Sequence, residues 1–349
     1  MHLNRSLVLA ALTGAAMAVS ATSQARNRTS AQLCSVGTTD VGQPGTLICK
    51  DVLSGATTQT IPVGLTASAA GGIGGSLSSS GGRVLVTNQV GGASLFRVVD
   101  GYLKAPVILQ TGGDSSLSGA LNDRGAYVLS GTALRFYPHG QAEATSIQRL
   151  LRADGSAAEV TLTDSYAYVS EKSGSLEAFR LGPDGRLAGP ASPVAGIDAG
   201  VIVGITGYQD LVVSPIAHLA SNAAQAEVPV VTGVNQLQLV ATKEAAACWT
   251  ANDDGEACVS NPGSMTVSCG RLGANGFESY TSDAASPVGE GVFDLDMRQG
   301  FVGIQAVRGG VPVLLTYSRS SGDFLTFVSE FGVGTAKAAG ALLLPPLGR

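Results

Sequence analysis

The sequence predicts an all-β protein: a seven-bladed β-propeller with four-stranded antiparallel blades, closed by its C-terminal strand. Three observations carry this expectation. The composition is poor in charge and rich in small residues, a strand pattern recurs through the chain, and the two chain ends look complementary. Of 349 residues, 44% are apolar, only 13% charged and 5% aromatic, and Gly supplies 47. Charge is about half its usual share. A disordered chain combines low hydrophobicity with high charge, so disorder is excluded. Gly has no three-residue period, so collagen-like winding is excluded too.

The repeat is a short apolar strand ending in Ser or Asn. It reads Val84–Asn88, Ala126–Ser130, Tyr166–Ser170, Asp210–Ser214 and Glu256–Ser260, and the last residues lie 42, 40, 44 and 46 apart. Leu33–Gly37 starts the series and Phe301–Gln305 ends it, making seven units. A further strand follows most of these, as in Ala93–Val98, Thr132–Tyr137, Ser175–Leu181, Ser264–Leu272 and Val313–Arg319. Phe96, Phe136, Phe179 and Tyr317 recur at comparable places there, with Cys269 in the corresponding position of its unit. Turns come next, such as Asp100-Gly101 and Pro183-Asp184-Gly185, and then an outer strand such as Ala105–Gln110 or Phe324–Ser329. A strand also precedes each Ser-ending one: Ser118–Leu121, Ala158–Thr163, Val201–Thr206. A four-stranded sheet cannot cover both of its faces by itself. Radial stacking against neighbours covers them, and small residues permit the close approach.

The first unit lacks a preceding strand, while Gly334–Leu344 has no unit of its own and ends in Ala341-Leu342-Leu343-Leu344. That tail is expected to supply the innermost strand of the first blade, leaving no open edge. Met1–Ala25 has the parts of a secretory leader: His2 and Arg5, an apolar run through Val19, and the small-residue site Ser23-Gln24-Ala25. Residues 26–349 are then one propeller domain. No later apolar run is long enough to span a membrane. Asn27 opens a sequon, relevant in a eukaryotic host. The expected location is extracellular, or periplasmic in a Gram-negative host. Five cysteines suit that compartment. Cys34 and Cys49 flank the turn Gly42–Gly45, and a hairpin there places them face to face. Cys258 and Cys269 flank Asn261–Ser264 with an offset of two positions, a less regular pairing. Cys248 is left over, and it reads as a buried small apolar residue.

Leu85–Asn88 through Ala93–Val98, and Gly174–Leu187, resemble the seven-bladed lactonase propellers, the family of 3-carboxymuconate cyclase-like and 6-phosphogluconolactonase-like proteins. Ala247-Cys248-Trp249 and Gly289-Glu290-Gly291 with Asp294 resemble elements of the family's later blades. The similarity covers about residues 75–340. It implies the propeller fold and, for catalytic members, lactone opening or closing by His, Glu and Arg side chains at the channel mouth.

Few residues could do that work. His139 sits in a turn on the face opposite the usual site. His218 lies in the long Pro215–Glu227 insertion, and Glu290 begins the last inner strand. Arg83, Arg124 and Arg298 are the available carboxylate holders. Glu171 and Lys172 read as a solvated charge pair in a rim loop. Asp294 and Asp296 lie two apart, hence on one strand face, where they would form a structural pair or, facing the channel, a cation site. No nucleophile elbow, zinc motif, P-loop, dinucleotide fingerprint or haem attachment occurs, so no cofactor and no resident metal are expected. The net charge of −5 argues against nucleic acid. The expected function is a secreted, non-catalytic, monomeric lactonase-like propeller. It would bind an extracellular ligand or protein across the face bearing Gly42, Pro215–Glu227 and Gln305–Pro312. The alternative is a metal-independent lactone hydrolase or cyclising isomerase, with His218 or Glu290 as acid or base and Arg124 or another arginine holding the substrate.

Overall fold

The computed structural model describes residues 31–347, apart from 39–43, 66–75, 90, 195–199, 210, 218–226, 233–235, 242–245, 274–275 and 320–324. The described residues contain strands and no α-helix. Six four-stranded antiparallel sheets follow one another as meanders, giving the β-propeller its blades. Their innermost strands are Leu77–Ser80, Ser116–Leu121, Ala157–Leu162, Thr250–Asp253, Gly291–Arg298 and, in the sheet that holds the chain start, Lys337–Leu344.

Burial follows radial position. The second strand Gly125–Ser130 is buried at every residue, because neighbouring sheets cover both its faces. The outermost strand Tyr102–Gln110 is exposed at most positions. The core is correspondingly a set of layers between sheets. One layer joins Tyr127, Leu129 and Phe136 to Ala167, Val169 and Phe179. Another joins Cys258 and Val267 to Val292, Ile304 and Leu315. The recurrent Phe96, Phe136 and Phe179 are among the largest fully buried side chains. Small residues set the spacing near the axis: a Cβ at Gly207 would collide with the backbone of Leu162 in the adjacent inner strand. Two-residue hairpins link many strands. Asp100-Gly101, Asp254-Gly255 and Gln299-Gly300 all hold two successive positive φ values, the mirror-image turn that matches strand twist.

The ends of the chain meet as expected. Lys337–Leu344 pairs antiparallel with Gln32–Thr38, from Gln32 opposite Leu344 to Thr38 opposite Lys337. Leu342, Leu343 and Leu344 are buried. A polar network fixes the junction: Gln32 Nε2 donates to the carbonyls of Gly101 and Pro345, and its Oε1 accepts from Thr58 Oγ1 and Gln59 Nε2. Both expected disulfides are present, Cys34–Cys49 and Cys258–Cys269. The two-residue offset expected for the second is corrected. Cys258 lies directly opposite Cys269, because the turn is Pro262–Met265, with Met265 at φ 59°, rather than Asn261–Ser264.

Residues 201–241 depart from the four-strand expectation. They form a sheet counted as six strands. Val201–Ile202 pairs with Ile216–Ala217, and Thr206–Tyr208 pairs with Leu211–Val213. Both second partners then face Glu227–Thr232 in one continuous register, Leu211 opposite Thr232 and Ile216 opposite Glu227. Pro215 lies at the interruption, where its missing N–H cannot join the ladder.

Candidate functional site

The innermost strands enclose a channel of about 250 Å³ along the axis. Its wall includes Ser78, Gly119, Glu159, Ile205, Thr250 and Asp294, with Asn252 and Asp296 further along the same strands. Among the described residues the wall carries three carboxylates and no Lys, Arg or His.

Hydrogen bonds define the two ends of this channel. At one end, links between sheets meet the turns that join second to third strands. Asp114 accepts from Thr132 and Arg135, Ser156 Oγ donates to Glu171 Oε2 at 2.5 Å, and Glu290 accepts from the Gly309 and Gly310 N–H groups. At the other end, first-to-second turns meet third-to-fourth turns. His139 Nε2 lies 3.0 Å from the Asn122 carbonyl, and the His139 N–H donates to the Arg124 carbonyl. Propeller connectivity requires this alternation, and it separates the candidate residues. His139 and Arg124 occupy one end, Glu171 and Glu290 the other.

An innermost strand has one edge without a ladder partner, and the channel carboxylates serve those edges. Asp294 Oδ2 accepts from the Ala341 N–H at 3.1 Å, and Asp296 Oδ2 from the Leu343 N–H at 2.7 Å. Their other oxygens accept from Leu295 and Met297. Glu159 Oε2 accepts from the Ile205 N–H at 3.0 Å. Ser118 Oγ accepts from Val160 N, and Asn252 Nδ2 donates to Thr206 Oγ1 and the Gly207 carbonyl. A belt of short polar side chains thus links successive inner strands, each satisfying backbone groups that would otherwise be costly to bury.

Burial disfavours the charged forms. Desolvation pushes Glu159 well above the usual carboxylate range, with Asp294 adding repulsion and the Ile205 bond opposing it. Asp296 is pushed up to about 6, again by desolvation, against the pull of the Leu343 and Met297 N–H groups. Glu171 differs from its expected role. It is fully buried rather than solvated and is pushed up to about 7 by desolvation, while Lys172 is exposed. A three-residue turn from a fully buried strand end leaves Glu171 under the 151–156 link, which sequence spacing does not reveal.

The remaining candidates do not come together. Glu290 is exposed and is not part of the channel wall. Arg83 donates to the Gly81 carbonyl, Arg124 to the Gly182 carbonyl, and Arg298 to Ser79 Oγ beside the mouth that also holds Asp253 and Asp296. Burial lowers the His139 pKa, with Arg83 acting in the same direction. Asp294 and Asp296 do face the channel. Cys248 is half-buried, and desolvation pushes its thiol up to about 12, far from a reactive thiolate. His218, Asn27 and the expected leader Met1–Ala25 lie outside the described residues. No described helix is long and apolar enough to cross a membrane, and two disulfides fit an extracellular protein.

No protein-family model and no curated protein matches the chain. Solved structures do. A putative 6-phosphogluconolactonase from Bacteroides fragilis aligns with TM-score 0.58 at 14% identity, over 90% of this chain and 98% of that one. Apo AztD from Citrobacter koseri aligns with TM-score 0.58 at 9% identity, over 92% and 99%. A Lactobacillus plantarum protein aligns with TM-score 0.57 at 15% identity, over 90% and 99%. At such identities the likeness establishes a β-propeller fold and nothing about chemistry.

Proposed function

We propose that this chain is a secreted, seven-bladed, lactonase-like propeller without catalytic activity. It takes an extracellular ligand or protein partner on the end that carries the second-to-third-strand turns. The count of seven is supported by the register of residues 201–241, which reads as one four-stranded blade whose first two strands are split near Pro215. The channel wall supports it too, with Ile205–Gly207 lining the axis beside the six other inner strands. Secretion is supported by the leader-like start of the chain and by the two disulfides.

The observation that carries the non-catalytic reading is the use made of the channel acids. Glu159, Asp294 and Asp296 hold neighbouring backbone N–H groups. Acyl transfer at a lactone needs a tuned acid or base beside donors for an oxyanion or carboxylate. Arg83 and Arg124 instead donate to local carbonyl oxygens outside the channel wall, and Arg298 donates to Ser79 Oγ at the mouth. Purified protein assayed on a panel of lactones, carboxylated ones included, is expected to give no turnover above buffer. Turnover that His218→Ala or Glu290→Ala abolishes would replace this reading with the hydrolase.

A further inference from the structure

We propose that the axial channel holds a hard divalent cation of calcium size between Glu159 and Asp294, with Thr250 Oγ1 as a third donor and water completing the shell. The two carboxylates belong to inner strands that flank two others, the one next to Ile205 and the one bearing Thr250. Glu159 Oε2 caps Ile205, and the adjoining Gly204 packs against Thr250, so close that a Cβ there would lie 3.1 Å from the Thr250 nitrogen. Thr250 is only 6% exposed, lines the channel, and its hydroxyl has no hydrogen-bond partner among the described residues. A buried hydroxyl left unbonded is costly, so its presence asks for a ligand. Ser78, on the same wall, also has an unbonded hydroxyl.

The donor chemistry selects the ion. Among the described residues every polar wall side chain offers oxygen, the Asn252 carboxamide included, and none offers sulfur or imidazole. That set suits Ca²⁺ or Mg²⁺ rather than zinc or copper. Among the described residues no three acidic, histidine or cysteine side chains close on one point. The ion must therefore keep several waters and accept donors spread across separate strands. Ca²⁺ tolerates such irregular shells, whereas Mg²⁺ demands a compact octahedron. The wall has no Lys, Arg or His among the described residues, so a cation supplies the counter-charge that the acids otherwise replace with protons.

The test is calcium titration of metal-free protein at pH 7.5, followed by calorimetry and by thermal unfolding, with KCl at matched ionic strength as control. The proposal expects one saturable site and a Tm rise of about 2 °C or more in 1 mM Ca²⁺. Mg²⁺ should bind at least about tenfold more weakly. Glu159→Gln and Asp294→Asn keep an oxygen for the Ile205 and Ala341 N–H groups, so both should fold and lose the response. Thr250→Val should weaken binding by about tenfold, a factor worth one lost donor. Absence of a saturable calcium effect, equal Mg²⁺ affinity, or an undiminished response in both carboxamide variants would overturn the proposal.

Discussion

Two sets of carboxylates do the same hydrogen-bonding work in different surroundings. At one end of the propeller Asp114 and Glu290 tie a link between sheets to a nearby turn. Asp114 is half-exposed and paired with Arg135 at 2.7 Å, and Glu290 is open to solvent. In the channel Glu159 and Asp296 accept from backbone N–H groups with far less water; among the described residues the wall itself carries no cation, and Asp296 has only Arg298 nearby, at the mouth. The rim acids keep solvent or a guanidinium to stabilise their charge. The channel acids are needed as acceptors but penalised as ions. Acidic residues lining a propeller axis are therefore no evidence of catalysis until the backbone groups they serve have been accounted for.

The largest break in the comparison comes from removing the strand that the channel acids cap. Truncation after Gly332 deletes Lys337–Leu344, exposes the edge of Gln32–Thr38 and uncovers buried leucines. Calorimetry should then find no cooperative unfolding transition, and a soluble, fully folded product would contradict ring closure. Next in size is the double substitution Cys34→Ser with Cys49→Ser in the same sheet. Releasing a bridge of this loop length costs about 3 kcal/mol, read from denaturant midpoints.

Single caps come third. Asp296→Ala leaves the Leu343 N–H buried without an acceptor and should cost about 1–3 kcal/mol. Asp114→Ala at the rim should cost under about 1 kcal/mol, since its ion pair is half-exposed. Equal losses at the two sites would erase the distinction between channel and rim. The smallest effect is the pH profile. Glu159, Asp296 and Glu171 all have folded pKa values above their unfolded ones, so the native state binds the extra protons. Their stabilising contribution is full below about pH 4 and is lost as pH rises through about 6 and 7. Between pH 5 and 8 these three groups should therefore lower Tm as pH rises.

The same contrast explains what the sequence made legible. Strand spacing revealed the blades, because sheets stacked face to face need a uniform period and small residues. The Leu-rich tail revealed closure, because an apolar strand without a unit must find an edge. Residues 201–241 hid their sheet, since the first two strands are interrupted near Pro215 with a one-residue shift between them, while the second keeps its register to Glu227–Thr232. Cys258 and Cys269 showed their pairing only when the turn was placed one residue later. The candidate site was harder to read. Asp294 and Asp296 stood out through their spacing, but Glu159 sits alone in Ala157–Leu162 and gains its meaning from Ile205, forty-six residues away. No local pattern marks a side chain chosen for the edge of the next sheet. Glu171 misled for the opposite reason: a charged pair beside a turn looks solvated, yet the Ser156 link covers it.

The account rests on channel acids serving as hydrogen-bond acceptors whose charge is a liability. Unfolding of metal-free Asp296→Asn and wild type, compared at pH 5 and pH 8, tests that most directly. The amide oxygen keeps the Leu343 bond and drops the charge. At pH 8 the variant should match or exceed wild type by up to about 3 kcal/mol, and at pH 5 the gap should shrink to about half of that. An Asn variant that is as destabilised at pH 8 as Asp296→Ala would contradict the account.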